Sequence, residues 1–473
     1  MKYNFGLIAI VAILFSACTK AEYGAPDLGG LYNRAATRVH EEGNAVIVIP
    51  GILGSKLRDS ETGQLVWGAF DKGTANPETP EGARLIALPM KKGAPLSELT
   101  DTVDSDGALD TVKVSLFGLP IELNAYLYIL STLGAGGYKD QTLASNTLND
   151  IDYGDEHFTC FQFDYDWRLD NVENAKRLDA FIEEKRAYII EEYKKRGIQR
   201  DEVKFDIVAH SMGGLVTRYY LRYGGEDLPE DGSLPKLTWD GAKYVDKVII
   251  IGTPNAGAVG SIETLVKGRD IGPFLPNYAP AIIGTFPSMY QQLPRTRHDA
   301  IRDQNGGRID IMDPENWVRF GWSLADPGQE EVLEWLLPDV PDASERREIA
   351  LDHLRKSLKR GKQFLEALDV PAAPPENLKL YLIAGDAVLT GARVTVDTES
   401  GNIEVTDYTP GDGTVTRSSA LMDERVGGQW ALHLVSPVKW SNVTFLFTDH
   451  LGLTKSPSFS DNVLFLLLEN PGI

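Results

Sequence analysis

The sequence predicts an α/β fold with a mostly parallel central sheet, and two observations support this prediction. Several short runs are continuously apolar and β-branched, as in residues 44–49 (Asn-Ala-Val-Ile-Val-Ile). Such runs are typical of strands that a parallel sheet buries on both faces. Stretches with helical apolar spacing lie between these runs, most clearly after residues 203–208. Six strands are predicted in this way: 44–49, 158–163, 205–208, 244–251, 378–383 and 442–447.

The turn after the third of these strands is the candidate nucleophile site. Residues 209–213 read Ala-His-Ser-Met-Gly, which places Ser211 at the tip of a strand-turn-helix unit. A nucleophile elbow holds its serine in such a tight turn, and small residues are needed on both sides of it. Ala209 and Gly213 meet this need, although Ala209 replaces the first glycine of the usual pattern. The alternative to a nucleophile elbow is a loop in which the serine only caps the helix. The side chain of His210 is expected to point away from the nucleophile.

The loop after the first strand is the candidate second half of an oxyanion hole. It reads Pro-Gly-Ile-Leu-Gly-Ser over residues 50–55. Functional sites of parallel sheets lie in the loops that follow the strands. We therefore expect the backbone N–H groups of Ile52 and Met212 to stabilise negative charge on a reacting oxygen. A simple tight turn is the alternative interpretation.

A serine nucleophile needs a general base, and the candidates are the histidines downstream of Ser211. In α/β-hydrolases the three groups follow the order serine, acid, histidine, each in a loop after a strand. His450 follows the last predicted strand and is the predicted base. His433 lies in an alternating run and is the alternative, more typical of a strand residue. His298 and His353 are expected at the surface.

The predicted acid is Asp412, which lies between two glycines in residues 411–413. These glycines allow the backbone to bend around the carboxylate, although a surface turn has the same pattern. Asp386, just after the strand at 378–383, is the main rival. Two further candidates are weaker: Asp407 and Asp449.

The N-terminus predicts export and a lipid anchor. Residues 1–18 have a positive start, an apolar run and small residues before Cys18, as in a signal peptide, and the run is too short to span a bilayer. The Phe-Ser-Ala-Cys sequence resembles a bacterial lipobox, which implies lipidation of Cys18. Thr19 after the cysteine implies the outer membrane of the cell envelope. Residues 19–42 are expected to form a tether, and ordinary secretory cleavage is the alternative.

Composition narrows the range of functions. The 473 residues carry a formal net charge of −21, which gives no support for a nucleic-acid partner. Two cysteines are too few for a disulfide framework, and Cys160 is expected to be a buried strand residue. No metal-binding spacing or cofactor motif is present, so none is predicted, and we expect a monomer.

The domain organisation follows the same patterns. The core is predicted over residues 43–266 and 376–473, with a surface excursion at 56–110 and a cap at 267–375 that interrupts the alternation of strands and helices. A capping box of Asp342 and Glu345 is expected to open the long helix of the cap. Four helices outside the nucleophile turn are predicted: from Pro120 to about 134, at 174–196, at 342–368, and from about Ser460.

Six motifs occur in order along the chain: Val-Ile-Pro-Gly-Ile-Leu-Gly-Ser (48–55), Tyr-Asp-Trp-Arg-Leu (165–169), Ala-His-Ser-Met-Gly (209–213), Gly-Thr-Pro-Asn-Ala-Gly (252–257), Phe-Pro-Ser-Met-Tyr-Gln-Gln-Leu-Pro (286–294) and Gly-Asp-Gly-Thr-Val (411–415). Together they resemble the lecithin:cholesterol acyltransferase family, which includes lysosomal phospholipase and the phospholipid:diacylglycerol acyltransferases. The resemblance covers about residues 44–455. It implies an α/β-hydrolase fold with a cap and a small membrane-binding excursion, and a lipid-ester substrate. It also implies Ser211, Asp412 and His450 as catalytic residues.

One departure from the family concerns the excursion at 56–110. The animal enzymes close a loop there with cysteines, whereas no cysteine lies between residues 19 and 159 here. Membrane docking by this loop is therefore in question, and a lipid anchor at Cys18 would make it unnecessary.

The function predicted from these residues is a serine acyl-ester hydrolase or O-acyltransferase acting on lipid esters at a membrane surface. Two alternatives stay open. The first is a catalytically silent envelope lipoprotein that binds lipid or a protein partner, for which His450 would lie far from Ser211. The second is an esterase for a non-lipid ester, for which the cleft would be shallow and polar.

Overall fold

A computed structural model describes residues 27–28, 30–32, 43–70, 73–109, 111–116, 119–124, 126–142, 157–200, 202–270 and 275–470. The predicted signal peptide, Cys18 and most of the predicted tether lie outside these residues. Within the described part, no helix is both long enough and apolar enough to cross a membrane.

The core of the fold is a six-stranded sheet in which every neighbouring pair of strands is parallel. All six predicted strands are present, and their bounds are β1 Ala45–Ile49, β2 Cys160–Gln162, β3 Phe205–His210, β4 Val245–Ile251, β5 Lys379–Gly385 and β6 Asn442–Leu446. Their spatial order in the sheet is β6-β5-β4-β3-β1-β2.

Both faces of this sheet are covered, as the continuous apolar runs predict. Along β1, Val46 and Val48 belong to one apolar cluster, whereas Ile47 and Ile49 belong to the cluster on the opposite face. Alternate side chains of a strand point to opposite faces, so a strand buried on both must be apolar throughout. Cys160 in β2 is fully buried, and burial raises the pKa of its thiol, as expected of a packed strand residue.

Helices flank the sheet on both sides. The helix predicted at 174–196 begins slightly earlier, because the Asp170 side chain accepts a hydrogen bond from Val172 N–H and caps it. It ends at Gly197, which has a φ of 68°. The main helices are α1 Leu127–Ala135, α2 Asn171–Arg196, α3 Met212–Tyr223, α4 Val259–Lys267, α5 Ala343–Asp369 and α6 Pro457–Leu464, and shorter ones span Pro80–Ile86, Pro280–Ile283, Pro287–Tyr290, Pro314–Phe320, Glu330–Leu336 and Arg417–Leu421.

The prediction of a helix starting at Pro120 is wrong. Pro120 lies in the strand Leu119–Asn124, which pairs antiparallel with Thr111–Leu116, and α1 begins only at Leu127. The helical spacing of the leucines predicts a helix that starts too far upstream. Pairing with a neighbouring strand overrides such local spacing.

Among the described residues, four small sheets lie outside the central one. The largest pairing is the hairpin of Val388–Val396 and Ile403–Gly411, which leaves the central sheet after β5 and returns to it. The other strands are Ser55–Asp59 with Leu65–Trp67 and Val103–Ala108, Ala69–Phe70 with Thr111–Leu116 and Leu119–Asn124, Arg269–Asp270 with Asn277–Tyr278, and Ile301–Asp303 beside the hairpin.

Helix α5 dominates the block predicted as a cap. The Asp342 side chain accepts a hydrogen bond from Glu345 N–H at 2.9 Å and caps the start of the helix, which is one half of the predicted capping box. The prediction that His353 is a surface group is wrong, because it is buried and its Nε2 lies 3.0 Å from the Thr285 carbonyl. Burial lowers its pKa to about 4. The charged residues around His353 suggested exposure, but it lies on the apolar face of this helix.

The C-terminal end of α5 is hydrogen-bonded to side chains of α3. Arg218 donates to the carbonyl of Leu368, and Arg222 donates to that of Val370. The last carbonyls of a helix lack partners within it and carry its negative dipole end, so buried guanidinium groups stabilise this terminus. The helix that carries the nucleophile candidate is thereby packed against the block predicted as the cap.

Candidate active site

Ser211 occupies a strained turn between β3 and α3. Its backbone has φ 52° and ψ −127°, a conformation that residues with a side chain rarely adopt. The turn is held from the β4 side, because Ser211 N–H donates to the Ile251 carbonyl at 2.8 Å and Thr253 Oγ1 donates to the Ser211 carbonyl at 2.8 Å. This is the geometry that the elbow pattern predicts.

The loop after β1 packs directly against this turn. A Cβ atom at Gly51 would lie 2.6 Å from the Cβ of Ser211, and one at Gly213 would lie 2.4 Å from the Pro50 carbonyl oxygen. Only glycine fits at either position. Met212 begins α3 and follows Ser211 directly, whereas Ile52 follows Gly51. The loop and the helix start that carry the two predicted oxyanion donors are therefore adjacent.

His450 contacts both of the other predicted catalytic residues. Its Nε2 lies 3.1 Å from Ser211 Oγ, and its Nδ1 lies 2.7 Å from Asp412 Oδ2. The backbone N–H of His450 also donates to the Asp412 carbonyl at 2.8 Å. A carboxylate on Nδ1 fixes the tautomer in which Nε2 accepts a proton. The structure thus brings Ser211, His450 and Asp412 into one chain of hydrogen bonds.

The Asp412 carboxylate is buried and well supplied with donors. Its Oδ1 accepts hydrogen bonds from the N–H groups of Thr414 at 2.9 Å and Val415 at 2.7 Å. Burial acts to raise the pKa of Asp412, but the hydrogen bond and charge of His450 and the two N–H groups outweigh it and hold the pKa below its usual value. The group therefore stays ionised beside the imidazole.

Asp412 reaches this place by an indirect route. The chain leaves β5 at Asp386, forms the hairpin of Val388–Val396 and Ile403–Gly411, and returns so that Val388 and Asp412 form a β-bridge. A Cβ atom at Gly385 would lie 2.7 Å from the Cβ of Asp412. The carboxylate therefore sits at the end of β5, where a residue that directly follows the strand would ordinarily be.

The three rival candidates for the catalytic acid contact other groups. Asp386 Oδ2 lies 4.0 Å from Arg417 Nε, and Asp407 forms an ion pair with Arg393. Asp449 accepts a hydrogen bond from Gly452 N–H at 2.7 Å.

His433 lies in an exposed segment without strand pairing, so its interpretation as a strand residue is wrong. The alternating apolar residues beside it are themselves exposed, with Trp430 at 82% and Leu432 at 72%. Their alternation has no sheet face to cover.

Two residues of the motif at 165–169 support the loop after β1, a role that the sequence reasoning missed. Tyr165 O–H donates to the Pro50 carbonyl at 2.8 Å, and Trp167 Nε1–H donates to the Ser55 carbonyl at 3.2 Å. Arg168 is fully buried with Asp166 and Asp101 as ion-pair partners, which holds the motif in place. A tyrosine and a tryptophan in one short motif are the signal that could have predicted this role, because both side chains need acceptors for their hydrogens when they are buried.

No metal site accompanies these groups in the part of the chain that the structure describes. Among those residues, no three histidine, cysteine or carboxylate side chains are grouped so that they could hold an ion.

Comparisons with known proteins agree with the fold and with part of the family resemblance. Residues 130–308 match the family model described as lecithin:cholesterol acyltransferase. A chain in the crystal structure of the Tle4–Tli4 complex is 15% identical with a TM-score of 0.55, and the match covers 90% of this chain and 98% of that one. Comparison with curated proteins gives no match.

A second solved structure, lipase 1 from Pelosinus fermentans, is 13% identical with a TM-score of 0.33 over 90% of this chain and 99% of that one. At this score it adds nothing to the fold assignment. The family match supports the coarse prediction of a lipid-ester hydrolase or acyltransferase. The protein has an α/β-hydrolase fold, and its residues 130–308 match the lecithin:cholesterol acyltransferase family model.

Proposed function

We propose that this protein is a serine acyl-ester hydrolase or O-acyltransferase for lipid esters, with Ser211, His450 and Asp412 as its catalytic triad. The observation that carries the proposal is the continuous chain of hydrogen bonds from Ser211 Oγ through His450 to Asp412, at 3.1 and 2.7 Å. The short Ser211–His450 contact argues against the catalytically silent alternative, which requires these residues to be far apart.

The proposed reaction has two halves. Ser211 Oγ attacks the ester carbonyl carbon while His450 Nε2 takes the hydroxyl proton, and the carbonyl oxygen acquires the negative charge. The N–H groups of Ile52 and Met212 stabilise that charge. The alcohol then leaves with the proton from His450, and an acyl-enzyme remains. Water or a second alcohol, deprotonated by His450, attacks the acyl carbon and releases Ser211.

A lipid substrate is favoured over a polar ester by the side chains beside the site. Phe447 is 89% exposed and Leu451 is 54% exposed, and both lie within three residues of His450. Leu389, next to the residue that bridges to Asp412, is 72% exposed. Exposed large apolar side chains in the segments that carry the proposed catalytic residues are typical of a surface that contacts lipid or protein.

The proposal includes attachment to a membrane through Cys18. A lipidated Cys18 followed by a tether at residues 19–42 would hold the domain close to the surface from which the substrate comes, in the outer membrane of the envelope. Tyr32, which lies within the predicted tether, is 8% exposed and so packs against the domain. We propose that the protein is a monomer.

Labelling by a fluorophosphonate probe tests the catalytic proposal. The purified mature protein is compared with Ser211→Ala and His450→Ala, and His433→Ala serves as the matched histidine control because it lies in the exposed segment. Wild type and the control should label, whereas the two active-site variants should lose at least about 10³-fold in rate, since triad residues act as a unit.

A folded wild-type protein that fails to label would instead support the silent, binding lipoprotein. If it labels, release of fatty acid from phospholipid vesicles with and without an added alcohol distinguishes hydrolysis from acyl transfer.

A further inference from the structure

A second chain of hydrogen bonds runs behind Ser211 and includes none of the proposed catalytic side chains. Tyr126 Oη lies 2.7 Å from Gly51 N and 3.0 Å from His210 Nδ1. His210 Nε2 lies 3.4 Å from the carbonyl oxygen of His450. Three contacts therefore connect the loop after β1, the end of β3 and the loop after β6. These are the three places that supply Ile52, Ser211 and His450.

The donors in this chain can be assigned from chemistry alone. Gly51 N–H can only donate, so the Tyr126 oxygen accepts from it and directs its own hydrogen to His210 Nδ1. The His450 carbonyl can only accept, so His210 Nε2 carries the hydrogen. His210 is thus a neutral imidazole with a fixed tautomer. Each polar group of Tyr126 and His210 has its partner.

Burial keeps both side chains in these protonation states. Tyr126 is 5% exposed and His210 is 2% exposed. Burial, with a contribution from the nearby charge of His450, lowers the pKa of His210 to about 3. Burial also raises the pKa of Tyr126 well above its usual value. Although the His210 and His450 rings are only 4.8 Å apart, His210 does not compete for the proton that His450 takes from Ser211.

The Tyr126 side chain also packs directly against the loop after β1, to which its hydroxyl group is hydrogen-bonded. A Cβ atom at Gly54 would lie 2.8 Å from Tyr126 Cε2, and the Tyr126 and His210 rings meet edge to face with centroids 5.6 Å apart. Gly51 in turn lies against Ser211, as described above. A displacement of Gly51 N would therefore move the N–H of the next residue, Ile52, relative to the nucleophile.

We propose that Tyr126 and His210 are positioning residues for the reaction. They hold the Ile52 N–H and the backbone of His450 at a fixed separation around Ser211. This inference rests on the proposed function and adds to it two residues that touch neither substrate nor reacting atoms. Geometry errors of about 1 Å in a catalytic site cost on the order of 100-fold in rate. We call the Tyr126–His210 chain of hydrogen bonds the bridge. Loss of the bridge should therefore affect the rate of acylation much more than the binding of substrate.

The experiment compares Tyr126→Phe, which removes one oxygen, with Tyr219→Phe. Tyr219 is a matched control, since it is a fully buried tyrosine whose O–H donates to the Glu226 carbonyl at 3.0 Å. We measure kcat and KM on a soluble p-nitrophenyl ester, the rate of fluorophosphonate labelling, and Tm. Tyr126→Phe should lower kcat and the labelling rate about 10- to 100-fold with KM within about twofold. Tyr219→Phe should leave both rates within about twofold.

Two substitutions at His210 provide a second, independent test. Asparagine can accept from the Tyr126 hydroxyl as Nδ1 does, whereas alanine cannot, so His210→Asn should recover at least about fivefold in kcat over His210→Ala. Failure of wild type to label would overturn the proposed function and the bridge together. If wild type labels, wild-type rates in Tyr126→Phe would overturn the bridge alone. Should that variant not fold, wild-type rates in His210→Ala, or equal rates in His210→Asn and His210→Ala, would do the same.

Discussion

The two halves of the candidate site are built in different ways. On the nucleophile side, Ser211 and Met212 are neighbours in one turn, and Ile52 lies in a loop that follows a buried strand directly. On the acid–base side, Asp412 is separated from β5 by a hairpin, and His450 lies 38 residues further along. Each part of the first half directly follows its own strand, whereas the second half depends on a distant segment returning to the end of a strand.

The two halves also rely on different physical effects. The nucleophile side uses backbone geometry. Ser211 is strained, and Gly51 lies so close to it that a Cβ atom added to Gly51 would be 2.6 Å from the Cβ of Ser211. The acid–base side uses charge, because a buried carboxylate with three donors orients the imidazole. A change of charge should therefore damage the second half most, and a change of steric volume should damage the first half more than the second.

The largest expected effect is from Asp412→Asn. The amide keeps the size of the side chain but presents no full negative charge, and it favours the wrong imidazole tautomer. We expect kcat to fall about 10⁴-fold, as for the equivalent change in other serine triads. Steady-state kinetics on a soluble ester measures this. Activity within about tenfold of wild type would remove Asp412 from the mechanism.

Gly51→Ala tests the nucleophile side with a change of volume alone. The new Cβ atom must displace the loop from Ser211, so the Ile52 N–H should move and kcat should fall about 10²-fold or more. Gly260→Ala is the matched control, because a Cβ atom there meets no other atom within 4 Å. Equal kcat values in the two variants, with equal Tm, would show that the loop does not need its close approach.

The central sheet could be predicted from the sequence because its strands are apolar on both faces. Burial is a local property of residue type, and all six predicted strands appear close to their predicted bounds. The residues Ser211, Asp412 and His450 could be named for a related reason. Each follows a strand or lies in a glycine turn, so its position at the active edge of the sheet could be inferred.

The parts that the sequence did not reveal depend on long-range partners. The sequence predicts that Tyr126 lies inside a helix starting at Pro120. In the structure Tyr126 precedes α1 and lies against Gly54. The strand Leu119–Asn124 exists because a second strand pairs with it, and His353 is buried because the Thr285 carbonyl accepts its hydrogen bond. None of these partners is near in sequence to the residue that it fixes, except in the hairpin.

A smaller effect is expected from Gly385→Ala, which tests the return of the hairpin. Its Cβ atom would lie 2.7 Å from the Cβ of Asp412 and 2.9 Å from the Thr448 carbonyl. Asp412 should be pushed away from His450, and kcat should fall about tenfold. Asp386→Asn changes the neighbouring residue and the rival acid, and its kcat should stay within about twofold. The same soluble-ester assay decides between them, and a larger loss in Asp386→Asn would restore that residue as the acid.

The smallest expected effect is on stability, and it isolates the charge of Asp412. Its pKa in the folded protein is below the ordinary value of 3.8, so the ionised carboxylate stabilises the fold at pH values above about 4. This contribution is lost as the pH falls from the ordinary pKa through the lower, folded pKa, because the unfolded state binds more protons than the folded state in that range. Below the folded pKa both states are protonated and the loss is complete. Urea unfolding of wild type and Asp412→Asn from pH 7 to pH 2 measures it. Wild type should lose stability relative to the variant only at the acid end, by an amount small beside a typical 5–15 kcal/mol for unfolding. A gap between the two proteins that widened with acid in favour of wild type would mean that the carboxylate is not stabilised by His450 and the two N–H groups.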